Sequence, residues 1–307
     1  MIYTLTLNAS LDYIVEVNPL VLGETNRASS EQIVVGGKGI NVSIVLQHLH
    51  HPTCALGYLA GFTGKEIKRS VKEMDLIEDF IEVEHGLTRI NVKIKSQEES
   101  EINASGPMIT EEDEKKLFQK LNRLQEHDVL VLAGSLPQGV EDDIYARIME
   151  HIQHKKVLIV VDATKKALLK TLAFHPFLIK PNKDELAQLF QTNIETNEDT
   201  LKYAHKLQAL GARNVLVSLG KEGAILLDEN KKTYEATAPK GKLVNSVGAG
   251  DSMVAGFLHG YMIRHNYKDA FVYGVCAGSA SAFLTPLASY NDIEALKDTV
   301  LSTVKEG

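Results

Sequence analysis

Two short runs in this chain, Val129-Leu130-Val131-Leu132 and Val157-Leu158-Ile159-Val160-Val161, are apolar at every position. A strand with one wet face alternates apolar and polar residues, so unbroken runs of this length read as strands buried on both faces, with helices as the covering layers. Strands of that kind lie in an open α/β sheet, whose ligands sit where the strands end. The polar turns that follow such strands should therefore share one sheet edge. They are Gly134-Ser135-Leu136-Pro137-Gln138-Gly139, Asp162-Ala163-Thr164 and Lys180-Pro181-Asn182-Lys183-Asp184-Glu185. Residues 1–8 read as a first strand, and the turn after it places Asp12 at the same edge, either as a hydroxyl binder or as an ordinary turn aspartate.

A second kind of strand is present. Thr88-Arg89-Ile90-Asn91-Val92-Lys93-Ile94-Lys95 alternates strictly, which sets Ile90, Val92 and Ile94 on one face and Arg89, Asn91, Lys93 and Lys95 on the other. It is covered on one side only. Residues 13–35 are short and β-rich with no helix between, which suits an antiparallel piece better than a βαβ unit. Two sheets follow: a large one, and a smaller one drawn from about 13–35 and 86–104 that forms a lid over its ligand end. Arg89 on that lid is either a clamp for a phosphate, which a guanidinium grips bidentately, or a solvated surface residue.

The chemistry concentrates in a few stretches. In Asn245-Ser246-Val247-Gly248-Ala249-Gly250-Asp251-Ser252 the two glycines permit a tight turn, and the apolar run from Met253 to Leu258 continues as a helix. Amide groups and a positive helix end then form an anion hole at Gly248, Ala249 and Gly250. Asp251 in the same first turn is either a base acting on a hydroxyl near a phosphate, or a complement to the helix dipole. Gly36-Gly37-Lys38-Gly39-Ile40-Asn41 is a glycine-rich turn from strand to helix. It is not a P-loop, because Gly39 follows the lysine where Ser or Thr belongs. Its glycines let backbone approach a ligand, and Asn41 can serve a sugar hydroxyl. Asn182 and Glu185, three apart across a helix start, either face Mg²⁺ through water or form a capping box. Asn214 to Ala224 is a strand, a turn bounded by Gly220 and Gly223, and the start of a further strand: a plain hairpin or a loop that touches a nucleotide. The small residues Ala277 to Ala282 allow close packing against a helix or a flat base. His48, His50 and His51 end a helix, where basic residues are common without a metal.

Composition bounds the rest. With 307 residues and 44% hydrophobic content the chain can fill a large core, and a net charge of -7 argues against nucleic acid as a bulk partner. Cys54 and Cys276 form no CxxC, so neither a disulfide framework nor a zinc site is indicated, and a reducing, cytoplasmic protein is expected. The uncharged stretch 270–291 contains Gly274, Gly278 and Pro286 and reads as a buried helix, not a membrane span.

Taken together, Gly36 to Asn41, Lys180 to Glu185 and Asn245 to Asp251 resemble the motifs of the ribokinase-type (PfkB) carbohydrate kinase family. Leu11-Asp12-Tyr13, Asn26-Arg27-Ala28-Ser29-Ser30, Thr88 to Lys95 and Gly250 to Phe257 resemble the branch acting on fructose 1-phosphate. The resemblance spans nearly the whole chain. It implies one ribokinase-like α/β domain over residues 1–307, a mostly parallel sheet with helices on both faces and the small β lid inserted, through which relatives often form homodimers. It implies ATP-dependent phosphorylation of a sugar phosphate: fructose 1-phosphate at the 6-hydroxyl, with tagatose 6-phosphate or fructose 6-phosphate as alternative acceptors and a non-catalytic sugar-phosphate sensor as a distant one. By the same resemblance Asp251 would be the base and Gly248 to Gly250 the hole for the transferred group. Asp12, Gly36, Gly37, Lys38, Asn41 and Ser135 would hold the sugar, with Arg27 and Arg89 near its phosphate. Lys183, Ser218, Gly220, Gly223 and Gly250 would meet ATP, and Asn182 and Glu185 would act on Mg²⁺ indirectly. Some relatives bind a monovalent cation near Asn245 and Val247. Two departures stand out: Ala9 where relatives carry proline, and Leu284 to Ala288.

Overall fold

A computed structural model describes residues 1–163 and 165–307; Thr164, in one of the edge turns, lies outside the described residues. The chain opens with β1 (Ile2–Thr6), β2 (Ser10–Glu16), β3 (Ser30–Gly36) and α1 (Lys38–His48). β4 (Thr53–Ala60), α2 (Gly61–Glu73), β5 (Ile77–Glu78), β6 (Ile81–Val83), β7 (Arg89–Lys95) and β8 (Ser100–Asn103) follow. Helices and strands then alternate through α3 (Glu111–Leu121), β9 (Val129–Ala133), α4 (Ile144–Ile152), β10 (Leu158–Asp162), α5 (Lys165–Thr171) and β11 (Leu178–Ile179). After α6 (Lys183–Phe190) and α7 (Asn197–Ala209) come β12 (Asn214–Ser218), β13 (Ala224–Leu227) and β14 (Thr233–Ala236). The chain closes with α8 (Ala249–Arg264), α9 (Tyr267–Ala282), α10 (Tyr290–Glu294), α11 (Lys297–Leu301) and β15 (Lys305–Glu306).

The large sheet runs β15-β14-β13-β12-β11-β10-β9-β1-β4-β5, with β6 beside β4. It is parallel from β12 through β5, and antiparallel only where the β12–β13 hairpin, β14 and β15 extend it. Leu130 and Leu132 of β9 join one core with α3 and α4, while Val129 and Val131 join another with α1, α8 and α9. Both faces are thus buried, which is why the strand cannot afford a polar alternate position. The register sets Leu5, Leu132, Val161 and Ile179 side by side. The next residues, Thr6, Ala133, Asp162 and Lys180, therefore end or follow their strands at one level, and this places Asp162 beside Lys180.

The buried-helix reading of 270–291 holds in its first half: α9 is buried along most of its length, and no helix among the described residues is long and apolar enough to cross a membrane. Both cysteines are buried and free.

The second sheet is four-stranded, β3-β2-β7-β8, formed from the two stretches expected. Its β2–β7 pair is parallel and sets Ser10 against Arg89 and Asp12 against Asn91. The alternation of β7 is present, but the polar face is the covered one. Asn91 and Lys93 are buried and Arg89 half-buried, whereas Ile90 on the opposite face is exposed. The reason is what lies beneath: the inner face closes over a polar cleft and not over a core. On the outer face Ile33 and Ile102 are 61% and 62% exposed, an apolar surface without a cover in a single chain.

Candidate active site

The lid and the strand ends enclose a cleft of about 1150 Å³. Its floor is the start of α8. Helices α3, α6 and α7 begin with Thr110, Asn182 and Thr196, whose side chains accept from their own helix amides. At α8 the cap is Gly248, at φ +80°, with no side-chain cap. That left-handed conformation suits glycine, and an added Cβ would lie 2.7 Å from Leu287 Cδ2. The Ala249 and Ser252 amides donate to Ser246 and Gly248 carbonyls. Those of Gly250 and Asp251, whose helical partners would precede the helix, have no backbone acceptor among the described residues, and both residues line the cleft.

Asp251 sits in this first turn, 6% exposed, and Asn41 Nδ2 donates to its Oδ2 at 2.8 Å. Burial, and then the negative charge of Asp162, push its pKa up to about 6, against the pull of Lys38, Asn41 and Lys180. Asn41 comes from α1, whose cap, Gly37, also lacks a side-chain hydrogen bond. Thus two helix starts far apart in sequence meet at one carboxylate.

Asp162, 2% exposed, organises the positive charge. Lys38 Nζ donates to its Oδ1 at 3.0 Å and Lys180 Nζ lies 3.6 Å from the same atom. Burial opposes its ionisation, but Lys180 and Lys38 hold the carboxyl below its ordinary range. Burial likewise opposes the charge on Lys38, and Asp162 and Asp251 more than offset it, raising the ammonium's pKa. Oδ2 of Asp162 is buried with no hydrogen-bond partner among the described residues.

On the lid side Asp12 takes Ser10 Oγ at 2.7 Å and Asn91 Nδ2 at 3.0 Å on Oδ1, and Lys93 Nζ at 2.9 Å on Oδ2. Arg89 lines the cleft nearby with its Nε buried and unpartnered; burial lowers its pKa, and Asp12 works the other way. Gly36 passes so close to Asp12 that a Cβ would fall 2.7 Å from Oδ1.

The cleft is also lined by Lys183, Ser218, Gly220 and Gly223, from α6 and the β12–β13 turn, and by Met253, Gly278, Ser279 and Ala282, from α8 and α9. The β12–β13 hairpin is formed, with the Leu219 amide donating to the Gly223 carbonyl, and its turn also borders the cleft. Asn182 and Glu185 form the capping box: Glu185 N donates to Asn182 Oδ1 at 2.7 Å, and Asn182 N to Glu185 Oε2 at 2.9 Å. Both still line the cleft, with Glu185 Oε1 outside the cap. Asn245 Oδ1 accepts from the Val247 amide at 3.0 Å and shapes the turn into α8. Among the described residues no group of three or more His, Cys, Asp or Glu side chains is arranged to hold a metal by itself. His48 bonds the Ala288 carbonyl and His51 bonds His259, so these histidines serve packing.

Asp12, Gly37, Lys38, Asn41, Arg89, Asn182, Lys183, Glu185, Ser218, Gly220, Gly223 and Gly248 to Asp251 are brought together around one cleft. Gly36 adjoins it through Asp12. Arg27 and Ser135 are exposed and do not line it: Arg27 lies in the loop between β2 and β3, and Ser135 follows β9. Sequence reading missed Asp162, Lys180, Asn91 and Lys93 as site residues. Their signals were available, since Asn91 and Lys93 share a face with Arg89, and Asp162 and Lys180 each follow a buried strand.

The profile of the pfkB family carbohydrate kinases matches residues 5–286. A 1-phosphofructokinase of Bacillus subtilis (strain 168) is 46% identical over 303 residues, covering 99% of each chain. A D-tagatose-1-phosphate kinase of Bacillus licheniformis is 37% identical, covering 96% of each. Phosphofructokinase-2 from Escherichia coli, solved in complex with substrates and products, superposes with a TM-score of 0.91 at 28% identity over 97% of this chain and 99% of that one. That protein has also been solved in complex with potassium and in a tetrameric inhibited form.

Proposed function

The chain belongs to the pfkB family of carbohydrate kinases, and from that membership we propose that it transfers the γ-phosphoryl group of ATP to the 6-hydroxyl of fructose 1-phosphate, giving fructose 1,6-bisphosphate and ADP. One observation carries the mechanism: a buried carboxylate, Asp251, stands in the first turn of a helix whose amides are free to meet an anion. A carboxylate with a pKa near 6 is mostly ionised at neutral pH yet accepts a proton readily. Asp251 takes the proton of the acceptor hydroxyl as that oxygen bonds to the γ-phosphorus and the bond to the β-phosphate oxygen breaks. The amides at Gly250 and Asp251 and the ammonium groups of Lys38 and Lys180 meet the charge on the transferred group.

Asp12 and Asn41 hold sugar hydroxyls, with Gly36 and Gly37 letting the backbone come close, and Arg89 takes the phosphate already present. Lys183, Ser218, Gly220 and Gly223 border the nucleotide. The donor set suits a hard cation, since Glu185 Oε1 lies outside the cap and Asp162 Oδ2 has no partner among the described residues. Glu185 and Asp162 would hold Mg²⁺ through water, with Asn182 bracing Glu185, and the ion would neutralise phosphate charge. We read residues 1–307 as one kinase domain with the lid inserted, working in the cytoplasm. The bare outer face of the lid supports a homodimer formed through it.

The test is ADP release from MgATP with fructose 1-phosphate, tagatose 6-phosphate and fructose 6-phosphate offered separately, each with potassium and with sodium. The potassium and sodium arms address a monovalent cation beside Asn245 and Val247. Asp251→Asn should lose roughly 10²- to 10⁴-fold in kcat with nucleotide binding kept. Near-parental turnover by that variant would remove Asp251 from the role of base. Preference for another acceptor, a D-tagatose phosphate included, would keep the mechanism and change the substrate.

A further inference from the structure

Asp12 is enclosed more fully than a hydroxyl binder requires. Ser10 and Asn91 occupy its Oδ1, and Lys93 faces its Oδ2 at 2.9 Å. The side chains of Lys93 and Asp12 are only 7% and 8% exposed. Burying such a pair costs desolvation that its own attraction does not reliably return, so stability alone is a weak reason for it. The surroundings supply a better one. Arg89 lies on the same inner face of the lid, its Nε is buried without a partner among the described residues, and the charge of Asp12 acts on it. With no counter-charge, Asp12 would draw this guanidinium to itself and repel an incoming phosphate. Glu101, opposite Lys93 in the register, is exposed, and its Oε2 lies 3.4 Å from Asn103 Nδ2.

We propose that Lys93 is a positioning residue for specificity: by neutralising Asp12 it leaves Arg89 to the phosphate that the substrate already carries, so the subsite prefers a sugar phosphate to a neutral sugar. The inference rests on the sugar-phosphate kinase reading above. Oδ2 of Asp12, with one partner, keeps a lone pair for a sugar hydroxyl, so neutralisation does not remove its own role.

The experiment compares Lys93→Met, Asp12→Asn and the double variant with the parent. It measures kcat and KM for fructose 1-phosphate and for fructose, KM for ATP and thermal stability. Removing one member of a buried charge pair should raise the KM for fructose 1-phosphate roughly 10- to 100-fold. The preference for it over fructose should narrow, with kcat and the KM for ATP within about 3-fold of the parent. In the Asp12→Asn background the same change should cost less than about 3-fold, because no charge is left to offset. Lys93→Arg should keep the parental preference, and Lys93→Gln reads the same quantity if the methionine variant does not fold. Equal losses in both backgrounds would overturn the proposal, since Lys93 would then touch the phosphate itself. So would lowered stability with an unchanged preference, which marks a structural brace. A parent active on fructose 1-phosphate with an unaffected Lys93→Met variant sinks this inference alone; a parent inactive on every sugar phosphate removes the kinase reading with it.

Discussion

Asp162→Asn tests whether the charge cluster sets the proton affinity of the base. In the folded chain the pKa of Asp251 stands at about 6 against an ordinary 3.8. That difference is about 3 kcal/mol against ionisation. Burial is the largest cause and the charge of Asp162 the next, while Lys38, Asn41 and Lys180 oppose them. The asparagine keeps the shape, removes a cause that raises the pKa, and leaves Lys38 and Lys180 without their shared anion. Both changes favour the ionised form of Asp251. The acid limb of kcat/KM for the sugar phosphate against pH, which reports the free enzyme, should therefore move down from about 6, by about one pH unit. At pH 5 the parent would keep about a tenth of its plateau kcat/KM, and the variant about half of its own. The plateau itself should fall roughly 10- to 100-fold, because two lysines lose the carboxylate that aims them and Mg²⁺ would lose one of the two groups that hold its water. The assay is kcat/KM for the sugar phosphate from about pH 4.5 to about pH 8, with thermal denaturation as a check on folding. An acid limb that stays near 6, or moves up, would refute the electrostatic account.

Three further outcomes are open to measurement. Gly36→Ala places a Cβ 2.4 Å from Ser10 Oγ and 2.7 Å from Asp12 Oδ1, so the KM for the sugar phosphate should rise roughly tenfold while that for ATP holds; parallel changes in both would argue against a local effect. His259 bonds His51 at 2.9 Å, and burial, then the neighbouring His51, lower its pKa to about 4. Between pH 6.5 and 4 the unfolded chain binds a proton that the folded one refuses, so stability falls as pH drops through that window; His259→Gln should flatten the slope of Tm against pH, and an unchanged slope counts against it. Placing glutamate at both Ile33 and Ile102, 61% and 62% exposed on the outer lid face, should turn a dimer into a monomer in sedimentation; a parental mass in the variant, or a monomeric parent, defeats the lid-dimer reading.

Much of this protein was legible in one dimension, because the signals that carried it are local. Uninterrupted apolar runs announced strands buried on both faces, and the β9 side chains do divide between two cores. Strict alternation announced a one-sided lid strand, and Gly248-Ala249-Gly250 announced a tight turn into a helix, which is the start of α8. Local patterns also left pairs of readings that folding combined: Asn182 and Glu185 cap a helix and border the cleft, and the β12–β13 turn is a hairpin that does the same.

What the sequence could not decide is which face of the lid strand is covered, since alternation is symmetric and says nothing of what lies beneath. The cleft beneath is polar, so Asn91 and Lys93 are inside and Ile90 is out. Nor could it join Asp162 to Lys38 and Lys180, or Asn41 to Asp251, which lie 210 positions apart. Sheet register and the meeting of two helix starts bring those groups together; the burial that moves Asp251 toward neutral pH, and the charges that add to it or oppose it, exist only at the separations the fold imposes.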